Sequence, residues 1–525
     1  MISFNQIPST VGVPGTYAEF DGTGARRTQA GKLYKLFVYG QMAAAKTGPN
    51  PYGSTVQANI PVQLQSAQQA ANAFGPGSLL ASMAAIVFKT NSINEVWFVP
   101  QLDDGAGVAR VMTANYSLVY TAAAAAPNAP GVERIYIGDK TYSVAVAVGD
   151  TATVIAAALA AVITADTASL FTAVAAAGTL TMTAKNKGEC ANDVQFVAQY
   201  NPSDVSPSTA GVFVTFTQTT AGAQNPSIAA GLASASTMYM THVVLPYNDS
   251  VNYALMLAEA QDRWNPLPAS TSLGNGQEDF IVFAAYRGTE AQFNTFMGTR
   301  NSEYFSTAHI EPGQTINSIQ YGGLMSAAWQ FAAAYGAISA SLASVVCNNP
   351  LQMIVLNCLK PAPAPCRFQW NIRNRAILNY GGATYKYNDA NQVMLEAAIT
   401  ERITTDTGAA TDAERRVETQ LAKSYLRWSV RAMLDTQYPR SRLADDGNPD
   451  LPNNVATPKM IKGSILSLCK TVWVPSGVVE NFAQFKDTLI VERSAEDCNT
   501  IKFQMYPDLV NILTVKAGKI SYIVC

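Results

Sequence analysis

Short apolar runs separated by helix-length stretches set the pattern of the first hundred residues. Leu36-Phe37-Val38-Tyr39 is one such run, followed by helical stretches from Ser66 to Ala73 and from Ser78 to Lys89, then by Glu95-Val96-Trp97-Phe98-Val99. Strand, helix and strand in this spacing predict a βαβ unit in a mostly parallel, covered sheet. The pattern returns near residue 224 with His242-Val243-Val244-Leu245-Pro246, a helix from Asp249 to Trp264, and Asp279-Phe280-Ile281-Val282-Phe283.

The stretch between the two halves is different. Ala, Thr and Val dominate from about Ala109 to Ala223, and alternation of period two replaces the solid apolar runs. Arg134-Ile135-Tyr136-Ile137 and Thr141-Tyr142-Ser143-Val144 flank Gly138-Asp139-Lys140, which reads as a hairpin; a helix is expected after Gly149-Asp150-Thr151 to about Thr164, and strands at Leu180 to Ala184, Val194 to Ala198 and Val212 to Thr217. A small β-rich unit is therefore inserted into the α/β unit. Leu324 to Val346 carries no charge, but its Ala and Ser content, broken by Gln330 and Gly336, predicts a packed internal helix and not a membrane span.

Lys360-Pro361-Ala362-Pro363-Ala364-Pro365 marks a stiff connector to a third unit. There Thr411-Asp412-Ala413-Glu414 has the spacing of a capping box before a helix to about Thr436, striped by Val417, Leu421, Tyr425 and Trp428. Strands are expected at Thr488 to Glu492, Ile501 to Met505, Leu509 to Val515 and Ile520 to Val524. The opening residues, with Val13-Pro14-Gly15-Thr16, read as an extended arm. The division is thus an N-terminal arm (1–25), a discontinuous α/β domain (26–108 and 224–359), an inserted β-rich domain (109–223), a C-terminal α+β domain (360–507) and a C-terminal strand arm (508–525).

Composition sharpens this picture. Of 525 residues 48% are hydrophobic and 14% charged, against roughly 25% charged in an ordinary soluble domain. Sparse charge suits a subunit whose outside becomes interface, or an Ala-rich compact monomer. A net charge of −2 offers no global attraction to nucleic acid or to an anionic membrane. The seven cysteines are scattered without a C-x-x-C pair and read as reduced thiols. Met-Ile-Ser-Phe-Asn-Gln-Ile-Pro lacks the cationic and apolar segments of a secretory signal, so the chain is expected to stay where it is made.

Nothing in the sequence recommends catalysis. The two histidines, His242 and His309, have no metal spacing, and phosphate loops, dinucleotide turns and nucleophile elbows are lacking. The acid pairs Asp103-Asp104 and Asp445-Asp446 sit in Gly-containing turns, where carboxylates cap backbone groups. A glycosidase working through two distant carboxylates is the strongest enzymatic rival. No catalytic, metal-binding or cofactor-binding residue is assigned, and no cofactor is expected.

Several stretches taken in order resemble the tail sheath proteins of Mu-like contractile phages. Ile7-Pro8 with Val13-Pro14-Gly15-Thr16-Tyr17-Ala18-Glu19-Phe20 is similar to the family's start, and Tyr438-Pro439-Arg440-Ser441-Arg442-Leu443-Ala444-Asp445-Asp446-Gly447 to its signature after the long helix. Gly477-Val478-Val479-Glu480-Asn481, Phe485-Lys486-Asp487-Thr488-Leu489-Ile490-Val491-Glu492-Arg493 and Pro507-Asp508-Leu509-Val510-Asn511 complete the set. The chain departs from the family pattern at Asn499-Thr500, where an Asn-Arg pair is expected.

The resemblance implies an α+β multidomain subunit that polymerises helically around a tail tube and contracts to drive the tube through a host envelope. It implies an inner C-terminal domain facing the tube, an outer α/β domain, and arms exchanged as strands between neighbouring subunits, which extended apolar ends also suggest by themselves. Implied partners are further copies of the chain, the tail tube protein, and baseplate and tail terminator proteins, with no nucleic acid and no membrane insertion. The implied location is the virion tail, assembled in the host cytoplasm. Arg415, Arg416, Lys423, Arg427 and Arg431 are the tube-facing candidates on or beside the long helix. Pro14, Gly15 and Pro507 are hinge candidates beside the arms, with Val510 and Ile512 in the C-terminal arm. The alternatives are a surface adhesin or fibre with an immunoglobulin-like module, and the sheath of a bacteriocin-like or other contractile injection system.

Overall fold

The computed structural model of the chain describes residues 31–43, 56–118, 130–198, 200, 212–267, 277–316, 319–447, 452 and 454–523. The expected N-terminal arm, with Pro14 and Gly15, lies outside the described residues. Its first described elements are β1 (Lys35–Gln41), β2 (Val62–Leu64), α1 (Ala67–Phe74), α2 (Leu79–Thr90) and β3 (Glu95–Gln101). Ser66 and Ser78 cap the two helices by accepting from the Gln69 and Ala81 amides, leaving their apolar residues to pack inward.

Next come β4 (Ala109–Leu118), β5 (Gly131–Ile137), β6 (Lys140–Val146), α3 (Ala152–Ala165), β7 (Phe171–Ala176), β8 (Thr179–Lys187), β9 (Phe196–Val197) and β10 (Val212–Thr220). They form one sheet ordered β10-β4-β8-β7 and another ordered β6-β5-β9. The β5–β6 hairpin turns at Gly138, whose φ of 57° is open to glycine at no steric cost. Alternation along β8 puts Leu180, Met182 and Ala184 inside and threonines outside.

The chain then returns to the first sheet through α4 (Ala229–Ser234), β11 (His242–Val244), α5 (Ser250–Trp264), β12 (Ile281–Arg287), α6 (Glu290–Met297) and β13 (Phe305–Ile310). A small hairpin of β14 (Gln314–Ile316) and β15 (Ile319–Tyr321), the charge-free α7 (Ala328–Ala343), β16 (Ile354–Val355), α8 (Trp370–Asn379), β17 (Gly382–Tyr387) and β18 (Val393–Ala397) follow. The completed nine-stranded sheet runs β16-β18-β17-β13-β12-β11-β1-β3-β2, with parallel pairing from β3 to β17.

Register explains why its central strands are buried at almost every position. Val282 pairs with Phe305 and Phe283 with Ser306, so neighbours in the chain point to opposite faces. On one face Phe283 meets Tyr335 of α7 edge-on at 4.8 Å, and Ser306 Oγ lies 2.8 Å from the Tyr335 hydroxyl. On the other, Phe305 packs on Tyr253 of α5 at 4.6 Å. Neither face is left to water. Gly336 lets α7 sit close, because a Cβ there would lie 2.6 Å from Val244 Cγ2. No described helix is long and apolar enough to cross a membrane.

The division expected at residue 360 needs correction, because β17 and β18 belong to the large sheet. The proline-rich connector crosses it and does not end it: Thr307 and Ala308 of β13 pair with Gly382 and Ala383 beyond the connector. The buried Glu311 carboxylate adds a tie, accepting from the Tyr385 and Tyr387 hydroxyls and from the Phe368 amide. After β18 come α9 (Val417–Gln437), β19 (Arg442–Leu443), β20 (Val455–Ala456), α10 (Pro458–Leu468), β21 (Val479–Glu480), α11 (Phe482–Thr488), β22 (Ile490–Arg493), β23 (Ile501–Gln504) and β24 (Asp508–Leu509).

The capping box expected at Thr411 is also corrected. The helix starts six residues later, with Arg416 as N-cap and no side-chain cap. Thr400 takes the Arg415 carbonyl with its amide and the Glu414 carbonyl with its hydroxyl, both at 2.7 Å, which holds this stretch as a bridge to Ile399. Glu414 is thereby turned to Lys423.

Candidate assembly surfaces

Thr457 caps α10 by accepting from the Met460 amide at 3.3 Å, with Pro458 in the first turn, where a missing N–H costs nothing. The following π-helical turn, Cys469–Trp473, drives Trp473 fully inside, where its Nε1 donates to Ser429 Oγ of α9 at 3.0 Å and its ring meets Phe485 of α11. From this small core the β22–β23 hairpin projects, pairing Ile490 with Gln504 through to Arg493 with Ile501. Among the described residues no third strand joins it, so both outer edges keep unpaired backbone groups. The Asn499-Thr500 pair closes its turn locally: Thr500 Oγ1 and the Asn499 amide donate to the Asp497 carboxylate, holding it below the usual range.

Beyond Pro507 the chain pairs only briefly. Leu509 and Asp508 of β24 face Val479 and Glu480 of β21, the Val510 amide donates to the Val478 carbonyl at 3.1 Å, and Gln352 Nε2 reaches the Leu513 carbonyl at 2.9 Å. The strands expected over Leu509 to Val515 and Ile520 to Val524 are not formed across residues 510–523. A strand needs a partner, and β21 offers two residues. Val510 and Ile512 are half-buried, whereas Leu513, Val515, Ile520, Tyr522 and Ile523 are 64–95% exposed. The strand expected from Thr488 begins at Ile490, because Thr488 ends α11.

The cationic row on α9 separates into two groups. Lys423 pairs with Glu414 at 2.7 Å and lies over the Trp264 ring; Arg427 Nη1 donates to Asp279 Oδ1 and to the Trp264 carbonyl, both at 2.7 Å; Arg431 Nη1 donates to the Gln277 carbonyl at 3.2 Å. All three are directed at the α5–β12 connection of the same chain. Arg415 holds Asp412 at 2.9 Å beside the helix start, and Arg416 is half-buried there.

Burial raises the Asp279 carboxyl above its ordinary range, with Arg427 and then Lys32 pulling the other way. Lys32, buried where the described chain begins, donates from Nζ to Ser424 Oγ at 2.6 Å, and burial lowers its ammonium to about 8. Asp279, Lys32 and Ser424 were not recognisable as a cluster in the sequence; the one signal was a carboxylate set directly against the apolar run Phe280 to Phe283.

The acid pairs sit as their turns require. Asp103 accepts from Gln41, Asn186 and the Lys187 amide, Asp104 from the Ala106 amide, Asp445 pairs with Arg493, and Asp446 accepts from the Lys459 amide. His242 and His309 are both buried, which lowers them to about 3 and about 4. Among the described residues no group of His, Cys, Asp or Glu is placed to hold a metal ion.

No family model matches the chain. It is 32% identical over 526 residues to the Mu-like prophage FluMu tail sheath protein of Haemophilus influenzae, covering 99% of both chains. Among solved structures it is similar to a sheath tail protein of Desulfitobacterium hafniense, at 12% identity and a TM-score of 0.48 with 95% of this chain and 97% of that one covered. A sheath tail protein of Listeria innocua gives 13%, 0.47, 93% and 94%, and the contracted helical sheath of the anti-feeding prophage gives 10%, 0.42, 97% and 99%.

Proposed function

The chain belongs to the family of Mu-like tail sheath proteins, and we propose from that membership that it assembles by lending its two extended ends to neighbouring copies along a helical tube. It is a structural subunit of a contractile tail, and its work is mechanical.

The observation that carries the assembly reading is the C-terminal segment after β24. Among the described residues the backbone of 510–523 is tied to the rest of the chain at Val510, whose amide donates to Val478, and at Leu513, whose carbonyl accepts from Gln352 Nε2, while the large apolar side chains from Leu513 to Ile523 face solvent. Such a segment completes an edge on another molecule, where main-chain bonds give linkage and alternate side chains give register. The open edges of the β22–β23 hairpin are the receiving surface in this reading. Residues 1–25 act as the second donated strand, with Pro14, Gly15 and Pro507 as hinges.

A contact in which one surface engages a different surface of the next copy generates an open helical array. Wrapped on an inner tube, the array is held extended, and a baseplate trigger releases it into a shorter, wider packing while the domains move as rigid bodies about their arms. The C-terminal region faces the tube, the large sheet lies outside it, and the segment from β4 to β10 is outermost. The partners are other copies, the tube protein, the baseplate and the terminator, with assembly in the host cytoplasm. In this reading Arg415 and Arg416, beside the start of α9, carry the tube-facing charge, because Lys423, Arg427 and Arg431 are directed at the α5–β12 connection.

Negative-stain electron microscopy over rising concentration tests the arms. Wild type should form hollow cross-striated tubes, and chains lacking residues 1–18 or ending at Pro507 should remain dispersed. Tubes from either truncated chain would refute strand donation by that arm.

A further inference from the structure

The chain enters β1 against the usual pattern of apolar and polar positions. Residues 31–34 alternate outside, inside, outside and inside, yet the first inward position is Lys32, 8% exposed, and the outward one after it is Leu33, 67% exposed. A lysine inside beside a leucine outside reverses the order that burial favours. Proteins break this pattern chiefly where a segment has a task besides folding.

The seat of Lys32 is poorly matched to a charge. Its ammonium donates to a neutral hydroxyl, Ser424 Oγ of α9, and lies 5.5 and 5.7 Å from the ring centres of Tyr34 and Tyr239. Asp279, whose charge reaches it, is held by Arg427 at 2.7 Å, and Arg427 opposes the ammonium. The other titratable groups around it are neutral: burial pushes the Cys347 thiol up to about 12, raises the phenols of Tyr34, Tyr239 and Tyr425, and lowers His242 to about 3. Two aromatic rings and a thiol accept a leucine side chain at least as well as an ammonium. Exchanging the two needs little movement. The Lys35 amide donates to Thr241 Oγ1 and Asn94 Nδ2 to the Tyr34 carbonyl, both at 2.8 Å, which fixes the chain from residue 34 onward. Among the described residues no hydrogen bond ties the backbone of 31–33, and Gly31 has open space around it. Neighbouring positions of an extended chain face opposite sides, so a local turn at Leu33 swaps the side chains.

We infer that residues 31–33 form a two-position switch at the root of the N-terminal segment, with Lys32 seated in the unassembled chain and Leu33 its replacement in the same seat. The swap redirects the chain ahead of Lys32 while β1 stays in place. Its use in arm donation rests on the assembly reading; the two seatings do not.

The test is acetylation of the unassembled chain with an N-hydroxysuccinimide ester, read lysine by lysine by mass spectrometry, with the exposed Lys516 and Lys519 as internal references. Lys32 should react more slowly than they do, but faster than global unfolding, measured in urea, allows. Leu33→Ala removes the competitor for the seat and should slow Lys32 roughly tenfold, whereas Val174→Ala, as exposed as Leu33 but on β7, should change nothing. Burial lowers the seated ammonium to about 8, against about 10.4 for a lysine in water. The seat therefore disfavours the proton, and the seated form gains as pH rises through 8. Between pH 7.5 and 9 the Lys32 rate relative to Lys516 should fall about five- to tenfold. A Lys32 rate no faster than global unfolding, an equal or faster rate in Leu33→Ala, or a ratio that stays level or rises with pH would each overturn the switch. Tube formation by wild type is scored separately, so failure of the switch and failure of the assembly reading are distinguishable.

Discussion

Replacing Arg427 with alanine separates an internal tie from a tube-facing charge. The guanidinium is two-thirds buried and makes 2.7 Å bonds to the Asp279 carboxylate, itself 2% exposed, and to the Trp264 carbonyl. Removing one partner of a buried pair costs about 3–5 kcal/mol, since the other is stranded. Solvent reaches a third of the Arg427 side chain and replaces part of what is lost, which brings the expectation to about 2–3 kcal/mol. Adding Asp279→Asn removes the stranded charge and should recover about 1–2 kcal/mol, a coupling that independent surface sites do not show.

The pH dependence supplies a second check. Burial already raises Asp279, and Arg427 is the largest influence holding it down, so its folded-state value climbs further in the variant. A carboxyl raised in the folded state favours that state at low pH and loses this advantage as pH rises through its folded value. The deficit of Arg427→Ala should therefore be largest near neutrality and shrink as pH falls toward about 4. Urea unfolding of the unassembled chain, followed by fluorescence and circular dichroism together because several cores are involved, measures it. A variant with the wild-type midpoint that no longer coats the inner tube would refute the internal tie.

Four further substitutions test the fold. His242→Phe keeps a ring against Phe283, where the imidazole stacks at 5.5 Å, and removes a group that burial lowers to about 3; wild type should lose up to roughly 1.4 kcal/mol per pH unit between about 6.5 and 3 through this group, and the variant should not, as acid titration of the melting temperature reports. Gly336→Ala places a Cβ 2.6 Å from Val244 Cγ2 and should cost about 1–3 kcal/mol by denaturant unfolding. Thr457→Ala should cost about 1 kcal/mol by removing the α10 cap, whereas Thr411→Ala should cost under about 0.5 kcal/mol because Thr411 does not cap α9; equal losses would restore the capping box.

The elements legible in the sequence are those set by local chemistry and burial. Leu36 to Tyr39 and Ile281 to Phe283 are apolar at every position because both sheet faces are covered, and Ser66, Ser78 and Asp249 mark helix starts that the structure realises. Cys190, Cys347, Cys358, Cys366, Cys469 and Cys498 are free thiols. What escaped depends on distant partners. The start of α9 is moved by Thr400, the sheet passes the proline-rich connector because β13 accepts β17, and the α9 cations turn inward because Trp264 and Asp279 wait across the fold. None of these partners is near in sequence, so periodicity and spacing carry no trace of them.

Edges show where this chain keeps its capacity to associate. The long sheet ends in β2, with three residues, and in β16, with two, which leaves little backbone for another strand. The C-terminal region does the reverse: the β22–β23 hairpin has no third strand among the described residues, and an apolar segment runs on from β24 with its side chains in solvent. Lys516 and Lys519 interrupt that segment and oppose indiscriminate aggregation without removing the alternation that a specific edge would read. Backbone open to pairing is thus scarce at the ends of the large sheet and plentiful at the C-terminal hairpin and the segment after β24, which is the distribution the proposed strand donation calls for.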